Sequence, residues 1–95
     1  MVDKLADEAV DKALQGLEGW RRAVERSAIE KSFKFKDFGQ AWSFMSRIAL
    51  LAERMDHHPE WSNVYNRVDI TLTTNDAGGI SAQDIEMAEK IESFL

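Results

Sequence analysis

The apolar residues of this chain alternate between a helical and a two-residue period, and the changes of period mark out its elements. Leu5, Ala6, Ala9, Val10, Ala13, Leu14 and Leu17 recur at three- and four-residue steps, the stripe of an amphipathic helix that packs by one face. Gly16 and Gly19 close it. From Trp20 the period shortens. Trp20 to Val24 followed by Ala28 to Phe35 reads as a hairpin, in which Ile29, Phe33 and Phe35 share a face with Lys31 as its polar intruder, while Glu30, Ser32 and Lys34 point the other way. Asp37 and Gln40 then have the spacing of a capping box, starting a helix that runs from Phe38 to about Asp56. At about 100° per residue, its apolar positions Phe38, Ala41, Trp42, Phe44, Met45, Ile48, Ala49, Leu51, Ala52 and Met55 cover roughly half the circumference, more than one sheet needs. Leu50 lies outside even that arc. The surplus at Phe44, Leu50 and Leu51 predicts a second contact surface. A thick core contact within one subunit would use it too, but self-association is the preferred reading because so short a chain has little else to cover it with.

The long helix must stop in AERMDHHPEW, Ala52 to Trp61. Pro59 restricts His58 to extended backbone, which predicts a helix end near His57 and leaves two imidazoles at a helix C-terminus. Histidine titrates near neutrality, so an adjacent pair at a structural boundary is a candidate for proton transfer. Glu53 and Asp56 are close enough in sequence to orient or charge-pair the two rings. A His-Pro pair is also an ordinary helix stop, and spacing alone does not separate the two readings. A metal site is not expected, because neighbouring helical residues diverge by about 100° and the chain has neither cysteine nor a third histidine.

Beyond the stop, Trp61 to Tyr65 and Val68 to Thr74 form a second hairpin about an Asn66-Arg67 turn, with Val68, Ile70 and Leu72 inward and Asp69, Thr71 and Thr73 outward. Asn75 to Gly79 reads as a flexible loop. Ser81 caps the last helix with Asp84 at its third position, Ile80 and Ile85 are placed as a hydrophobic staple, and Ile85, Ala88, Ile91 and Leu95 supply the buried side. The order α-β-β-α-β-β-α predicts an α+β two-layer fold, a four-stranded antiparallel sheet with three helices on one face.

Composition narrows the function. Ninety-five residues without an internal linker predict a single domain, residues 1–95. With no cysteine it gains nothing from an oxidising compartment. The charged start MVDKLADEAV is unlike a signal peptide, and the aliphatic run Ile48 to Ala52 is far too short for a bilayer. A soluble cytoplasmic protein with no membrane partner is expected. A net charge of −5 argues against nucleic acid, and the basic cluster Arg21, Arg22 and Arg26 is offset by Glu18, Glu25 and Glu30.

The stretch AERMDHHPEWSNVYNRVDITLTTNDAGGIS, preceded by FKFKDFGQAWSFM, resembles the pterin-4a-carbinolamine dehydratases, a family known in animals also as the dimerization cofactor of a homeodomain transcription factor. The likeness runs from about Gly19 to Phe94, and DHHPEW followed by NVYN is its specific part. The resemblance implies dehydration of 4a-hydroxytetrahydropterin to quinonoid dihydropterin, the step that recycles the pterin of aromatic amino acid hydroxylases such as phenylalanine hydroxylase. It also implies assembly into homodimers or homotetramers through the sheet edge and the long helix. The pterin is the substrate, with no metal or other cofactor. Carried over by position, His57 is the principal acid/base and His58 orients the pterin. Glu53 accepts from the ring N–H groups, and Asp84 approaches from the last helix, where it serves equally as a cap. Asp56, Pro59 and Trp61 complete the pterin-binding set, Trp61 as wall rather than chemistry.

One position departs from that pattern. Where the family commonly carries a third histidine past the last strand, this chain has Asn75. A carboxamide hydrogen-bonds a hydroxyl but does not exchange a proton with it near neutral pH. The departure implies slower or stereochemically biased turnover. It also motivates the rival reading of a non-enzymatic interaction module or coactivator that keeps the fold and the oligomer.

Overall fold

The computed structural model of the chain describes residues 2–95. Its elements are α1 (Asp7–Gln15), β1 (Arg21–Arg22), β2 (Ile29–Lys34), α2 (Phe38–Met55), β3 (Glu60–Val64), β4 (Arg67–Leu72) and α3 (Ala82–Glu92), with a 3-10 turn at Asn75–Ala77. The strands form one antiparallel sheet in the order β1-β2-β4-β3, so the second strand of each hairpin lies at the centre. The central pair is in register Ile29 with Leu72, Lys31 with Ile70 and Phe33 with Val68. These residues carry the apolar face, and Glu30, Ser32, Asp69 and Thr71 alternate onto the polar one. Val10 of α1, Ala41, Phe44, Ile48, Leu51 and Ala52 of α2, and Met87, Ala88 and Ile91 of α3 share a single buried cluster with the strands. Three helices therefore cover one face of the sheet, the expected α+β arrangement.

Phe33 and Phe44 are 4.9 Å apart between ring centroids, Phe35 and Phe44 also 4.9 Å, and Trp20 meets Phe33 edge-on at 6.0 Å. Such pairs contribute about 0.5 to 1.5 kcal/mol each beyond their burial. The polar intruder Lys31 is accommodated by the far end of α3. Its Nζ donates to Glu92 Oε2 at 2.7 Å and to the Glu18 carbonyl at 2.8 Å, and Trp20 Nε1 donates to the same Glu92 oxygen at 2.9 Å.

Several expectations are corrected. The first strand is only Arg21–Arg22, because residues 23–28 close on themselves through Ala23 N–H to Ala28 O and leave Val24 in solvent. Phe44 and Leu51 are buried within this subunit, so the surplus apolar surface of α2 is carried by Phe38, Trp42 and Leu50. Leu95 is exposed, and Met87, outside the expected set, is buried in the core. The second hairpin turns at Tyr65-Asn66, one residue early. Val64 pairs with Arg67, Tyr65 takes the positive φ of 49°, and Asn63 Nδ2 fixes the turn by donating to the carbonyls of Tyr65 and Arg67. Asn66 instead clamps the neighbouring strand, exchanging hydrogen bonds with the backbone of Phe35. The loop after β4, expected without regular structure, contains a short helical turn. It is a 3-10 turn closed by backbone hydrogen bonds between Thr74 and Gly79, where a Cβ on Gly79 would run into the Ser27 side chain.

The basic cluster is paired as expected, though mostly with other acids: Arg21 with Glu30, Arg22 with Asp7 and Asp11, and Arg26 with Glu60. Hydrogen bonds from the Arg26 guanidinium hold the Glu60 carboxyl below its ordinary value. A depressed carboxylate stabilises the fold above its unfolded-state value and loses that contribution as pH falls through the lowered one; on so exposed a pair the effect is small.

Candidate active site

The long helix ends at Met55, earlier than Pro59 requires. Asp56 adopts the left-handed conformation (φ 50°, ψ 44°), its N–H donates to Glu53 O, and the His57 N–H donates to Ala52 O. These two bonds form a Schellman end, and aspartate is one of the few residues other than glycine that enters this region readily. Pro59 restricts only His58, the residue before it, which already lies beyond the helix end. The turn sends successive side chains in opposite directions, with His57 8% exposed and His58 on the surface. Asp56 thus contributes its backbone. Asp56→Val should destabilise the protein by about 1 to 2 kcal/mol, read as a lower thermal midpoint, because a β-branched residue resists positive φ; Asp56→Asn should be near neutral.

His57 and Asp84 meet across the interface of the α2 end and the α3 start. His57 Nε2 lies 2.6 Å from Asp84 Oδ1, and Asp84 is fully buried. The other carboxylate oxygen, Oδ2, accepts from the Ser81 N–H at 2.9 Å and from Thr74 Oγ1 at 2.8 Å. Thr74 Oγ1 is 2.6 Å from Ser81 Oγ, which accepts from the Gln83 N–H at 3.2 Å. Burying a carboxyl is costly unless its lone pairs are used, and here both oxygens are engaged, Oδ2 by two donors and Oδ1 by the imidazole. The capping role and the approach to histidine are therefore not alternatives: one oxygen caps α3 while the other faces the imidazole.

His58 forms a second, exposed pair, its Nε2 lying 2.8 Å from Glu53 Oε1. Pro59 and Trp61 are half-buried, and Trp61 packs on the core. Asn75 is exposed at the start of the 3-10 turn, and its carbonyl accepts from the Gly78 N–H. It directly follows Thr74, which puts its backbone one residue from the buried network. Thr74 is the residue that sequence reasoning missed. Its signal was the alternation of β4, which, continued past Leu72, puts Thr74 on the inward row as the one polar member. Among the described residues, no group of three or more His, Asp or Glu side chains is arranged to hold a metal ion, and no helix is long and apolar enough to cross a membrane.

This arrangement offers one buried and one exposed imidazole, each paired with a carboxylate, at the junction of two helix ends and a strand end. Residues 3–94 match the family model described as pterin 4 alpha carbinolamine dehydratase. A relative from Novosphingobium aromaticivorans, provisionally named a pterin-4-alpha-carbinolamine dehydratase, is 54% identical over 94 residues, covering 99% of this chain and 98% of its own. One from Rhizorhabdus wittichii with the same provisional name is 55% identical over 93 residues, covering 98% and 96%. A crystal structure from Brucella melitensis, described as a transcriptional coactivator/pterin dehydratase, superposes with a TM-score of 0.94 at 48% identity, covering 96% of this chain and 97% of that one.

Proposed function

The chain belongs to the pterin 4 alpha carbinolamine dehydratase family, and from that premise we propose that it dehydrates 4a-hydroxytetrahydropterins by histidine acid/base catalysis. The observation that carries the reading is the buried His57–Asp84 pair beside the exposed His58–Glu53 pair. The reaction requires little else. The N5 lone pair of the substrate expels the 4a-hydroxyl, one proton goes to the leaving oxygen, one is shed by a ring N–H, and water departs. His57 supplies and recovers the proton. His58 and Glu53 orient the pterin ring, with Trp61 and Pro59 as wall and Asp56 fixing the turn that places both imidazoles. No step is redox, and none calls for a metal or organic cofactor. The quinonoid product is the form a reductase returns to the tetrahydropterin, so the proposal extends to a cytoplasmic role serving a pterin-dependent hydroxylase, phenylalanine hydroxylase among them.

Decay of chemically generated carbinolamine, followed by absorbance, tests the proposal. The protein should accelerate it catalytically; a protein that neither accelerates it nor binds a dihydropterin would be an interaction module instead. The departure at Asn75 and the coactivator description of the Brucella melitensis structure are what favour that second reading.

Self-association belongs to the same proposal. Phe38, Trp42 and Leu50 line one side of α2 with exposures of 47%, 58% and 65%, and a hollow of about 290 Å³ opens between Trp42, Met45, Ala49, Leu50 and Trp61. A contiguous apolar strip of this kind marks a contact surface, and a second copy presenting the same strip is its natural cover. The protein should sediment as a dimer or tetramer. Leu50→Glu should shift it at least one step toward monomer with its circular dichroism unchanged; a wild-type monomer at high concentration would overturn the assignment.

A further inference from the structure

The hydrogen bonds around Asp84 leave each proton one place to go. The Ser81 N–H is a fixed donor and points at Oδ2. Ser81 Oγ already accepts from the Gln83 N–H and shares a second hydrogen bond with Thr74 Oγ1, which also reaches Oδ2. Each hydroxyl has one proton to donate. With the Thr74 proton on Asp84 and the Ser81 proton on Thr74, every donor and acceptor of the chain is used. Reversing the direction leaves the proton of Ser81, a fully buried residue, without an acceptor. With Oδ2 taken by two donors, the one proton of the 2.6 Å contact lies between Oδ1 and Nε2, and with Asp84 as a carboxylate, which only accepts, the His57 nitrogen carries it.

We propose that Thr74 and Ser81 are positioning residues that hold His57 in its Nε2–H form, and that Nδ1 is therefore the nitrogen that exchanges the proton with substrate. This deepens the dehydratase reading and rests on it. In the forward step, doubly protonated His57 gives its Nδ1 proton to the 4a oxygen as the C4a–O bond breaks and the N5 lone pair closes the N5=C4a bond. The neutral ring, still donating from Nε2 to Asp84, recovers at Nδ1 the proton shed by the ring N–H. Water is the only group released, and Asp84 remains a carboxylate throughout. His58 has no such constraint: its partner Glu53 is exposed and free to turn.

Asp84→Asn turns this geometry into a test. The Ser81 N–H requires an acceptor, so the amide oxygen takes the position of Oδ2 and the NH₂ group faces His57. Nε2 must then accept, and the ring switches to the Nδ1–H tautomer with no lone pair at the working nitrogen. Long-range ¹H–¹⁵N correlation spectra of labelled protein read the tautomer directly. The wild type should show Nε2–H and Asp84→Asn should show Nδ1–H, with turnover lowered on the order of 10²-fold. Thr74→Val keeps the carboxylate and removes one donor. It should lower kcat about tenfold at unchanged KM, and Thr74→Ser should recover it.

An Nδ1–H wild type overturns the inference, as does an Asp84→Asn protein that keeps Nε2–H. Should Asp84→Asn fail to fold, the wild-type spectrum and the Thr74 pair still decide, and equal kcat in Thr74→Val and wild type removes Thr74 from the mechanism. A wild type with the Nε2–H form but no dehydration would sink the dehydratase reading and leave the tautomer assignment standing.

Discussion

Replacing His57 with alanine is expected to slow carbinolamine dehydration by about 10² to 10⁴-fold, the usual contribution of a positioned acid/base. His57 is the only imidazole held rigidly: its ring is buried, its backbone is fixed by the Schellman end of α2, and its Nε2 is locked to a carboxylate that is itself locked to α3. The same substitution removes the partner of buried Asp84 Oδ1 and opens a small cavity, so the variant should also lose about 1 to 3 kcal/mol of stability. Rate and thermal midpoint must therefore be measured together, at a temperature where the variant is fully folded. His58→Ala separates the two effects. That ring lies in solvent, its loss should leave the thermal midpoint nearly unchanged, and its cost should fall on pterin binding rather than on the chemical step. Equal rates for His57→Ala and wild type, both folded, would dismiss the proposed mechanism.

The two ends of α3 explain which parts of this structure were legible in the sequence. Asp84 at its start is fully buried and Glu92 at its finish is half-buried. Each meets a polar residue on the inward row of a central strand or its extension: Thr74 after β4, and Lys31 on β2. Lys31 stood out in the sequence because its strand is strongly alternating on both sides of it. Thr74 did not, since it lies where β4 gives way to a turn and threonine suits either. Local signals were read well. The capping carboxylates Asp37 and Asp84 are within hydrogen-bond reach of backbone three residues away or less, and both form those bonds. Even here, Gln40 reaches one residue further than a standard box, to the Lys36 N–H.

What needed three dimensions was less legible. Whether Phe44 and Leu51 or Trp42 and Leu50 form the outer strip depends on how α2 lies over the sheet, and period alone fixes only their angular separation. The divergence of His57 from His58 follows from the left-handed turn at Asp56, a position where aspartate is permitted but not demanded. The partnership of His57 with Asp84 links residues 27 apart through two helix ends, and nothing in either segment names the other.

Asn75→His is expected to raise turnover on the order of 10²-fold, the lower end of what a general acid or base contributes, because the added ring would lack supports of its own. Position 75 lies next to the buried network in the chain, and the expectation rests on that adjacency. It adjoins Thr74, whose hydroxyl is bound to the carboxylate that holds His57, and it begins a turn closed at both ends by Thr74–Gly79 hydrogen bonds. The native carboxamide can hold a substrate hydroxyl by hydrogen bonding but cannot take up or release a proton near neutrality. In the proposed mechanism His57 would then serve both the leaving oxygen and the ring N–H in sequence, and the two transfers would compete for one nitrogen. A second imidazole divides them. Substitution at an exposed turn residue should leave stability within about 0.5 kcal/mol, so a gain would be read as chemistry and not as improved folding. Two controls sharpen the result. Asn75→Ala should lose less than the histidine variant gains, since it removes only a hydrogen bond. Asn75→His combined with His57→Ala should keep a partial rate if the new ring acts independently, and none if it acts only as a partner to His57. A folded Asn75→His protein no faster than wild type with either 4a stereoisomer would mean that this turn does not face the reacting carbon, and the proton economy of the site would then rest on His57 and His58 alone.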